Sequence, residues 1–442
     1  MYTFKGGIHP AGNKKLTKNK SIDEIKEYPE IMVFPLLQHI GGVCEPIVKK
    51  GDEIKVGQKL GQCEGGLFAN VFSSVSGVVS SIEPWDHPSG KKVMAVIVKN
   101  DFKYEVSENI KPYEKPIEEL TSEDVENIAF NAGIVGMGGA GFPTHVKIAS
   151  CTKANIDTLI INGAECEPYI TSDYRRMLEC PERVIEGIKI LMQAFGLKEA
   201  YLGIEDNKKD AIDFLTEKCK GTNIHVISLK TKYPQGGEKQ LIYAITRREV
   251  PPGKFPMDVK CGVFNIDTCI CLSNSYSTGM PVIERVITIS GDLINKPSNV
   301  LCRMGTPFSH IIEYCGGLKR EPDKIIMGGP MMGSCQYSVD TPVVKTTSSL
   351  LFMSERKGIN KEVTTNCIRC GRCSTSCPMF LLPNFINQFE KKRDVSMLQK
   401  LNVLNCIECG TCAYKCPAKI PLVQVIKNAK SLVIKESRKN VK

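Results

Sequence analysis

The chain of 442 residues contains a single tryptophan, and its apolar runs fall short of the 18 residues that indicate a membrane-spanning helix. Its first ten residues, MYTFKGGIHP, lack the apolar core of a secretory signal peptide. It contains no nucleic-acid-binding signature, catalytic triad or zinc-hydrolase pattern, and its basic residues are spread out. We therefore expect a chain that neither spans a membrane nor is exported by the signal-peptide route, and that does not bind nucleic acid.

The chain has the amino-acid composition of a globular protein and a positive net charge. Hydrophobic residues make up 42% and charged residues 24%, which at this length predicts about three or four well-cored domains. The formal charge of +10 favours acidic partners, such as nucleotides, an acidic electron carrier or an anionic membrane face. Of its 20 cysteines, those outside two clustered motifs are scattered singly. Scattered cysteines in a large chain indicate free thiols in a reducing cytoplasm.

The most informative motif is a duplicated cysteine pattern near the C-terminus. Three thiolates spaced by two residues can wrap one corner of a cubane, and in two-cluster ferredoxins the fourth cysteine of each run ligates the other cluster. This pattern predicts two [4Fe-4S] clusters. The spacing C-x2-C-x2-C-x3-C-P occurs twice, so one cluster takes Cys367, Cys370, Cys373 and Cys416, and the other takes Cys406, Cys409, Cys412 and Cys377.

Two structural zinc ions are the alternative, since zinc also prefers closed tetrahedral thiolate sites. Zinc ribbons pair two C-x2-C knuckles, however, and have no use for the third cysteine or for Pro378 and Pro417. The duplication therefore favours clusters.

A second informative stretch is the loop from Gly133 to Lys147, which has five glycines between Gly133 and Gly141. Such a loop lets backbone N–H groups approach a phosphate or a flat ring, because no Cβ stands between them. A capping box at Thr121 predicts a helix before it. After it, strands predicted at 158–162, 200–204 and 224–229 alternate with helices, which indicates a parallel sheet. Ligands of such sheets bind at the carboxyl ends of strands, where Glu165 and Glu167 should lie.

The order of these motifs resembles that of the flavoprotein subunit of respiratory complex I. The shared motifs are the glycine loop, Asn162-x-x-Glu165-x-Glu167-Pro168, Gly236-Gly-Glu238 and Asn265-x-x-Thr268. Essentially the whole chain resembles the RnfC family more closely still. RnfC is the NADH-facing subunit of the membrane-bound, ion-translocating ferredoxin:NAD oxidoreductase (Rnf) complex. Gly6-Gly-Ile-His-Pro10, an N-terminal all-β unit of the barrel-sandwich type and the paired cysteine motifs follow that family's order.

The resemblance implies a set of cofactor residues. Phe142, Glu167 and Glu238 would face the nicotinamide nucleotide. Met137, Val250 and Gly253 depart from the complex I pattern, which has Arg, Lys and Phe there, and Arg247 or Arg248 is the candidate for the missing cation. The residues implied for FMN are Gly136, Gly138, Gly139, Lys147, Asn162, Glu165, Asn265 and Thr268.

We therefore predict a multidomain α+β and α/β protein. Its expected parts are a barrel-sandwich hybrid domain (1–110), an FMN/NADH-binding α/β domain (121–280), an SLBB β-grasp domain (281–345), a helical two-cluster ferredoxin domain (355–430) and a basic tail (431–442).

The function that the resemblance implies is an NADH-dependent oxidoreductase subunit with FMN and two [4Fe-4S] clusters. It would exchange hydride between NAD(H) and FMN and pass single electrons to the membrane and iron-sulfur subunits of an Rnf complex. It would lie peripherally on the cytoplasmic side of the cell membrane. The alternatives are an RnfC-like cobalamin reductase of propanediol metabolism, a non-catalytic electron wire or scaffold, and a zinc-binding interaction module.

Overall fold

The computed structural model describes residues 2–63, 65–354 and 364–439. Residues 355–363 of the predicted ferredoxin domain and 440–442 of the predicted tail lie outside them. In the described ranges, no helix combines the length and apolar character needed to cross a bilayer. Four packed units follow one another along the chain.

The N-terminal β unit has two small antiparallel sheets. The first strand of the chain, β1 (Ile22–Glu24), belongs to a later sheet. The other strands are β2 (Ile31–Pro35), β3 (Glu45–Pro46), β4 (Glu53–Ile54), β5 (Lys59–Gln62), β6 (Val71–Phe72), β7 (Gly77–Asp86) and β8 (Lys92–Asn100). One sheet has the strand order β2-β8-β7-β4 and the other β3-β5-β6.

The central α/β unit is built on a four-stranded parallel sheet, as the strand–helix alternation predicted. Its elements are α1 (Ser122–Asn131), α2 (Thr144–Ala154), β9 (Thr158–Gly163), α3 (Ser172–Glu179), α4 (Pro181–Ala194), β10 (Ala200–Glu205), α5 (Lys209–Lys218), β11 (Ile224–Leu229), α6 (Glu238–Thr246), β12 (Cys261–Asn265) and α7 (Ile266–Thr278). The strand order is β11-β10-β9-β12. Helix α1 begins at the predicted capping box, where the Thr121 and Asp124 side chains cap each other's backbone N–H.

The second β unit is a six-stranded mixed sheet. Its elements besides β1 are β13 (Glu284–Gly291), β14 (Ser298–Arg303), α8 (Phe308–Tyr314), β15 (Lys324–Met327), β16 (Ser334–Gln336) and β17 (Ser349–Met353). The strand order is β1-β14-β13-β17-β15-β16. The sheet takes strands from both sides of the predicted 281–345 segment, since β1 comes from the N-terminal region and β17 follows residue 345.

The cysteine-rich helical unit completes the chain and has its own small core, which includes Ile386, Leu398 and Ile426. The helices are α9 (Arg372–Thr375), α10 (Pro383–Lys391), α11 (Val395–Lys400), α12 (Thr411–Lys415) and α13 (Leu422–Lys439). The predicted tail continues the last of these helices, with Val433 buried.

Candidate functional site

The eight motif cysteines line two separate cavities in the cysteine-rich helical unit. We call them the outer and the inner cavity. Each takes three cysteines from one motif and the fourth from the other, because the two motifs pack against each other through α9 and α12. The outer cavity is lined by Cys367, Cys370, Cys373 and Cys416, and the inner cavity by Cys377, Cys406, Cys409 and Cys412. These groupings are the two ligand sets that the ferredoxin spacing predicted.

The surroundings of the sulfurs suit an anionic cluster. Backbone N–H groups of Leu381 and Glu408 point at the sulfurs of Cys377 and Cys406, at 3.4 and 3.3 Å. Burial raises the pKa of the Cys406 thiol to about 11, and a bound metal would favour its thiolate form. Four thiols around one cavity, with N–H donors directed at sulfur, fit a [4Fe-4S] cluster.

The glycine loop, residues 133–141, joins α1 to α2 and packs on the start of α7. The Thr268 hydroxyl accepts a hydrogen bond from the Met137 N–H at 3.1 Å. A Cβ on Gly138 would lie 2.6 Å from the Asn265 amide nitrogen, whereas one on Gly139 would meet nothing within 4 Å. Gly138 is therefore needed for packing inside the protein, and Gly139 faces open space that a ligand can enter.

Asn162 and Glu165 lie at the carboxyl end of β9, where the parallel sheet predicted Glu165. The Asn162 amide donates to the Gly236 carbonyl at 2.9 Å and so joins this loop to the loop before α6. Glu165 has a positive φ of 33° and accepts a hydrogen bond from the Asp173 N–H at 2.8 Å. A neighbouring side chain, Gln235, is fully buried, and its amide has no hydrogen-bond partner among the described residues. Such an amide is expected where a polar ligand completes the site.

The two carboxylates implied for the nucleotide already have protein partners. Glu167 accepts hydrogen bonds from the N–H groups of Met331 and Met332 at 3.1 and 2.9 Å, and burial raises its pKa to about 7. Glu238 pairs with Lys147 at 2.8 Å. A nucleotide would have to replace these contacts. Phe142, the implied stacking residue, is partly exposed.

Sequence reasoning missed a set of charged residues behind the glycine loop. Asp267 pairs with Arg176 at 3.0 Å and lies 3.8 Å from Arg285. The Asn265 amide donates to Asp173 at 2.9 Å, and burial, then Glu165 and Asp267, raise the pKa of Asp173 to about 7. The sequence offered one signal for these residues, which is that Asp267 lies between Asn265 and Thr268 of a predicted cofactor motif.

Lys14, from the N-terminal region, was also missed. Its ammonium donates to the Glu165 carbonyl at 2.8 Å and lies 3.4 Å from the Glu165 carboxylate. It also donates to the Ile170 carbonyl. The acidic loop after β9 is therefore held by a cation from more than a hundred residues earlier in the chain.

Two buried basic side chains from outside the central unit bind carbonyl groups of the glycine loop. The Lys345 ammonium donates to the Gly133 carbonyl at 2.7 Å, and burial lowers its pKa to about 7. The Arg285 guanidinium donates to the Met137 carbonyl at 3.1 Å and to the Lys345 carbonyl. Arg285 thus places a positive charge directly behind the loop.

The structure adds Arg285 to Arg247 and Arg248 as a candidate for the missing cation. Arg248 pairs with Asp157, and Arg247 donates to the Thr3 carbonyl at 3.0 Å, so neither contact involves the glycine loop. The Met137 side chain, which stands in place of the complex I arginine, is buried in the core. The Arg285 guanidinium lies beside it, hydrogen-bonded to the Met137 carbonyl.

Family models match four segments of the chain. They describe an RnfC barrel sandwich hybrid domain (2–103), a Nuo51 FMN-binding domain (129–274), an SLBB domain (286–334) and a 4Fe-4S dicluster domain (359–417). The predicted fold class is thereby confirmed, and the cofactor classes with it.

Curated relatives match over nearly the full chain. The C subunit of a proton-translocating ferredoxin:NAD(+) oxidoreductase complex of Clostridium ljungdahlii is 45% identical over 98% of this chain and 94% of its own. The corresponding subunit of an Na(+)-translocating complex of Acetobacterium woodii is 43% identical over 99% and 98%. That of an ion-translocating oxidoreductase complex of Rhodobacter capsulatus is 40% identical over 99% and 85%.

Solved structures share the fold at low identity. A chain of an air-oxidized NAD+-reducing [NiFe]-hydrogenase superposes with a TM-score of 0.52 at 17% identity, covering 73% of this chain and 62% of that one.

Proposed function

The chain belongs to the RnfC family, the C subunits of ion-translocating ferredoxin:NAD(+) oxidoreductase complexes, and on that premise we propose that it exchanges electrons between NAD(H) and two iron-sulfur clusters through FMN. The observation that carries this proposal is the pair of cavities, each lined by four cysteines, in the same chain as an FMN-binding domain. When bound, FMN accepts two electrons as a hydride and releases them singly, which suits one-electron clusters.

The residues of the chain position this chemistry. The glycine loop brings backbone N–H groups to the flavin side, with Gly139 on its open face and Asn265 and Thr268 behind it. Asn162 and Glu165 hold the second wall of the site. Lys345 holds the Gly133 carbonyl, and Arg285 places positive charge behind the loop, where it favours a phosphate and an electron-rich flavin. The assignment of individual FMN and nucleotide residues is part of this proposal.

The relatives are subunits of larger complexes, and this chain, as a member of the same family, is a subunit of such a complex too. We propose further that it docks peripherally on the cytoplasmic side of the cell membrane through membrane and iron-sulfur subunits of an Rnf complex. Ion translocation is then a property of that complex, to which this chain contributes the NADH-facing oxidoreductase step.

Cluster assignment can be tested with cysteine variants of the full chain, purified without oxygen. We expect about eight irons in the wild type and about four in Cys370→Ser and in Cys416→Ser, because one cubane holds four. The double variant should also keep about four, since both cysteines serve the same cluster. Cys335→Ser is the matched control, because Cys335 is exposed and lies outside both cavities. A double variant that loses nearly all its iron would show that each motif holds its own cluster.

A further inference from the structure

The inner cavity is covered by the rest of the protein. The Tyr233 hydroxyl donates to the Cys409 carbonyl at 2.7 Å. The Gly7 N–H donates to the Ser376 carbonyl at 2.9 Å, beside Cys377. The first contact joins the backbone at Cys409 to the central α/β unit. The second joins the backbone beside Cys377 to the N-terminal segment.

These contacts leave little space between the units. A Cβ on Gly6 would lie 2.7 Å from the Cys377 carbonyl oxygen. Tyr233 and Cys409 share a buried apolar cluster with Cys166, whose sulfur accepts a hydrogen bond from the Gly236 N–H. Since Cys166 and Gly236 belong to the two loops that Asn162 joins, the inner cavity lies against the wall of the candidate flavin site.

The outer cavity differs in that two of its own cysteines reach the surface. Cys367 and Cys370 are exposed, whereas Cys377, Cys409 and Cys412 of the inner cavity are buried. Between the two exposed cysteines, Ile368 has 68% of its surface in solvent. A single exposed aliphatic side chain is ordinary on a protein surface, but this one lies between two exposed cysteines of the cavity.

The charged residues that adjoin the outer-cavity cysteines along the chain have one sign. Arg369 and Arg372 flank Cys370 in the sequence, and the exposed Lys415 precedes Cys416. From residue 364 to residue 389 the chain has no Asp or Glu, and neither has it from 409 to 435. We call the exposed residues Ile368, Arg369, Arg372 and Lys415 the rim of the outer cavity; its three charged residues are basic, and Ile368 is its apolar residue.

We propose that this rim is the docking surface for an electron-carrier protein with an acidic face, and that electrons pass between flavin and carrier by way of the inner and then the outer cavity. The proposal rests on the proposed function, because it needs both cavities to hold clusters. A basic rim steers an acidic partner and fixes its orientation, while the single apolar residue suits a transient contact. The carrier is reduced by one electron as the outer cluster is oxidised, or the reverse.

The test uses the full chain, loaded with iron and flavin, and an acidic bacterial ferredoxin as the probe. Arg369→Glu/Arg372→Glu reverses two rim charges, and we expect its binding to the ferredoxin to weaken about tenfold or more at about 0.05 M salt, with a shallower salt dependence. The matched control is Lys198→Glu/Lys220→Glu on the central unit, which makes the same change in net charge at exposed positions. Its affinity for the ferredoxin should stay within about twofold of the wild type, because salt screens charges that lie far from the docking surface.

A second variant separates docking from the charge of the rim. Ile368→Ser removes the apolar residue without changing any charge, and we expect about threefold to tenfold weaker binding with an unchanged salt dependence. Equal binding by the wild type and by both rim variants would overturn the proposal.

Two further outcomes are distinguished by the same samples. Vesicles of phosphatidylglycerol serve as the anionic membrane probe, and a rim variant that loses vesicle binding but keeps ferredoxin binding would overturn the proposal in favour of a lipid contact. Iron and FMN content are measured on every sample. A wild type without iron or flavin would contradict the proposed function itself. If the wild type holds both and the rim variants bind ferredoxin as tightly as it does, only the docking surface is contradicted.

Discussion

Arg285 gives the sharpest test of how the candidate flavin site is built. It is almost completely buried in β13, outside the central α/β unit, and its guanidinium donates to the Met137 and Lys345 carbonyls. It also lies 3.8 Å from the carboxylate of Asp267. Arg285→Met keeps much of the side-chain volume but removes the charge and every donor.

The expected loss can be worked from these contacts. A hydrogen bond from a charged donor contributes about 1.5 to 3 kcal/mol, and removing one partner of a buried ion pair costs about 3 to 5 kcal/mol. Arg176 still pairs with Asp267 at 3.0 Å, and the methionine regains apolar burial, so part of the loss is offset. We expect a decrease of about 3 to 5 kcal/mol in the free energy of unfolding. FMN affinity should also fall, because the loop loses the contact that positions it and the positive charge behind it. We expect a loss of about tenfold or more, which corresponds to about 1.4 kcal/mol.

The assays are urea unfolding of the flavin-free chain and titration with FMN followed by flavin fluorescence. Arg248→Met is the control, since Arg248 pairs with Asp157 at a site where the two side chains are 39% and 54% exposed. Such a pair contributes about 1 kcal/mol or less. Arg285→Lys keeps the charge and should recover part of the FMN affinity. If Arg285→Met matches the control in both stability and FMN affinity, the guanidinium does not support the loop.

Two further predictions concern the same site. The pKa of Asp173 is raised to about 7 from an ordinary 3.8, so the stability that its protonation contributes is complete below about pH 4 and is lost as pH rises to about 7. Asp173→Asn should remove that decline in pH-dependent urea unfolding and be about 1 to 3 kcal/mol more stable at pH 8; an unchanged pH profile would contradict the shift. Gly138→Ala should destabilise the flavin-free chain by about 1 to 3 kcal/mol, because Asn265 caps α7 and cannot move aside. Gly139→Ala should leave that stability within about 0.5 kcal/mol and still weaken FMN binding; equal stability of the two variants would contradict the packing role of Gly138.

The sequence predicted the features that depend on short segments. The capping box at Thr121 fixes where α1 begins, because both hydrogen bonds form within four residues. The strands at β9, β10 and β11 were predicted within a residue or two, since each is a short apolar run bounded by turns. The cysteine spacing likewise predicted which four cysteines line each cavity.

The features it did not predict depend on contacts between distant parts of the chain. Lys14 and Glu165 are 151 residues apart, and Arg285 and Met137 are 148 apart. Such lone charged residues have the appearance of ordinary surface positions, because no local pattern shows that the fold buries them. Strand β1 was missed for a related reason: three residues pair with β14 from across the chain, which is too short a run to read from periodicity.

The most direct measurement of the central claim is an anaerobic titration of the purified full chain with NADH, followed by visible absorption and electron paramagnetic resonance. We expect about eight irons and one FMN per chain. Sub-stoichiometric NADH should bleach the flavin and produce reduced-cluster signals in the same sample. A folded chain that holds zinc in place of iron, or whose flavin and clusters stay oxidised when NADH is added, would contradict the proposed electron path.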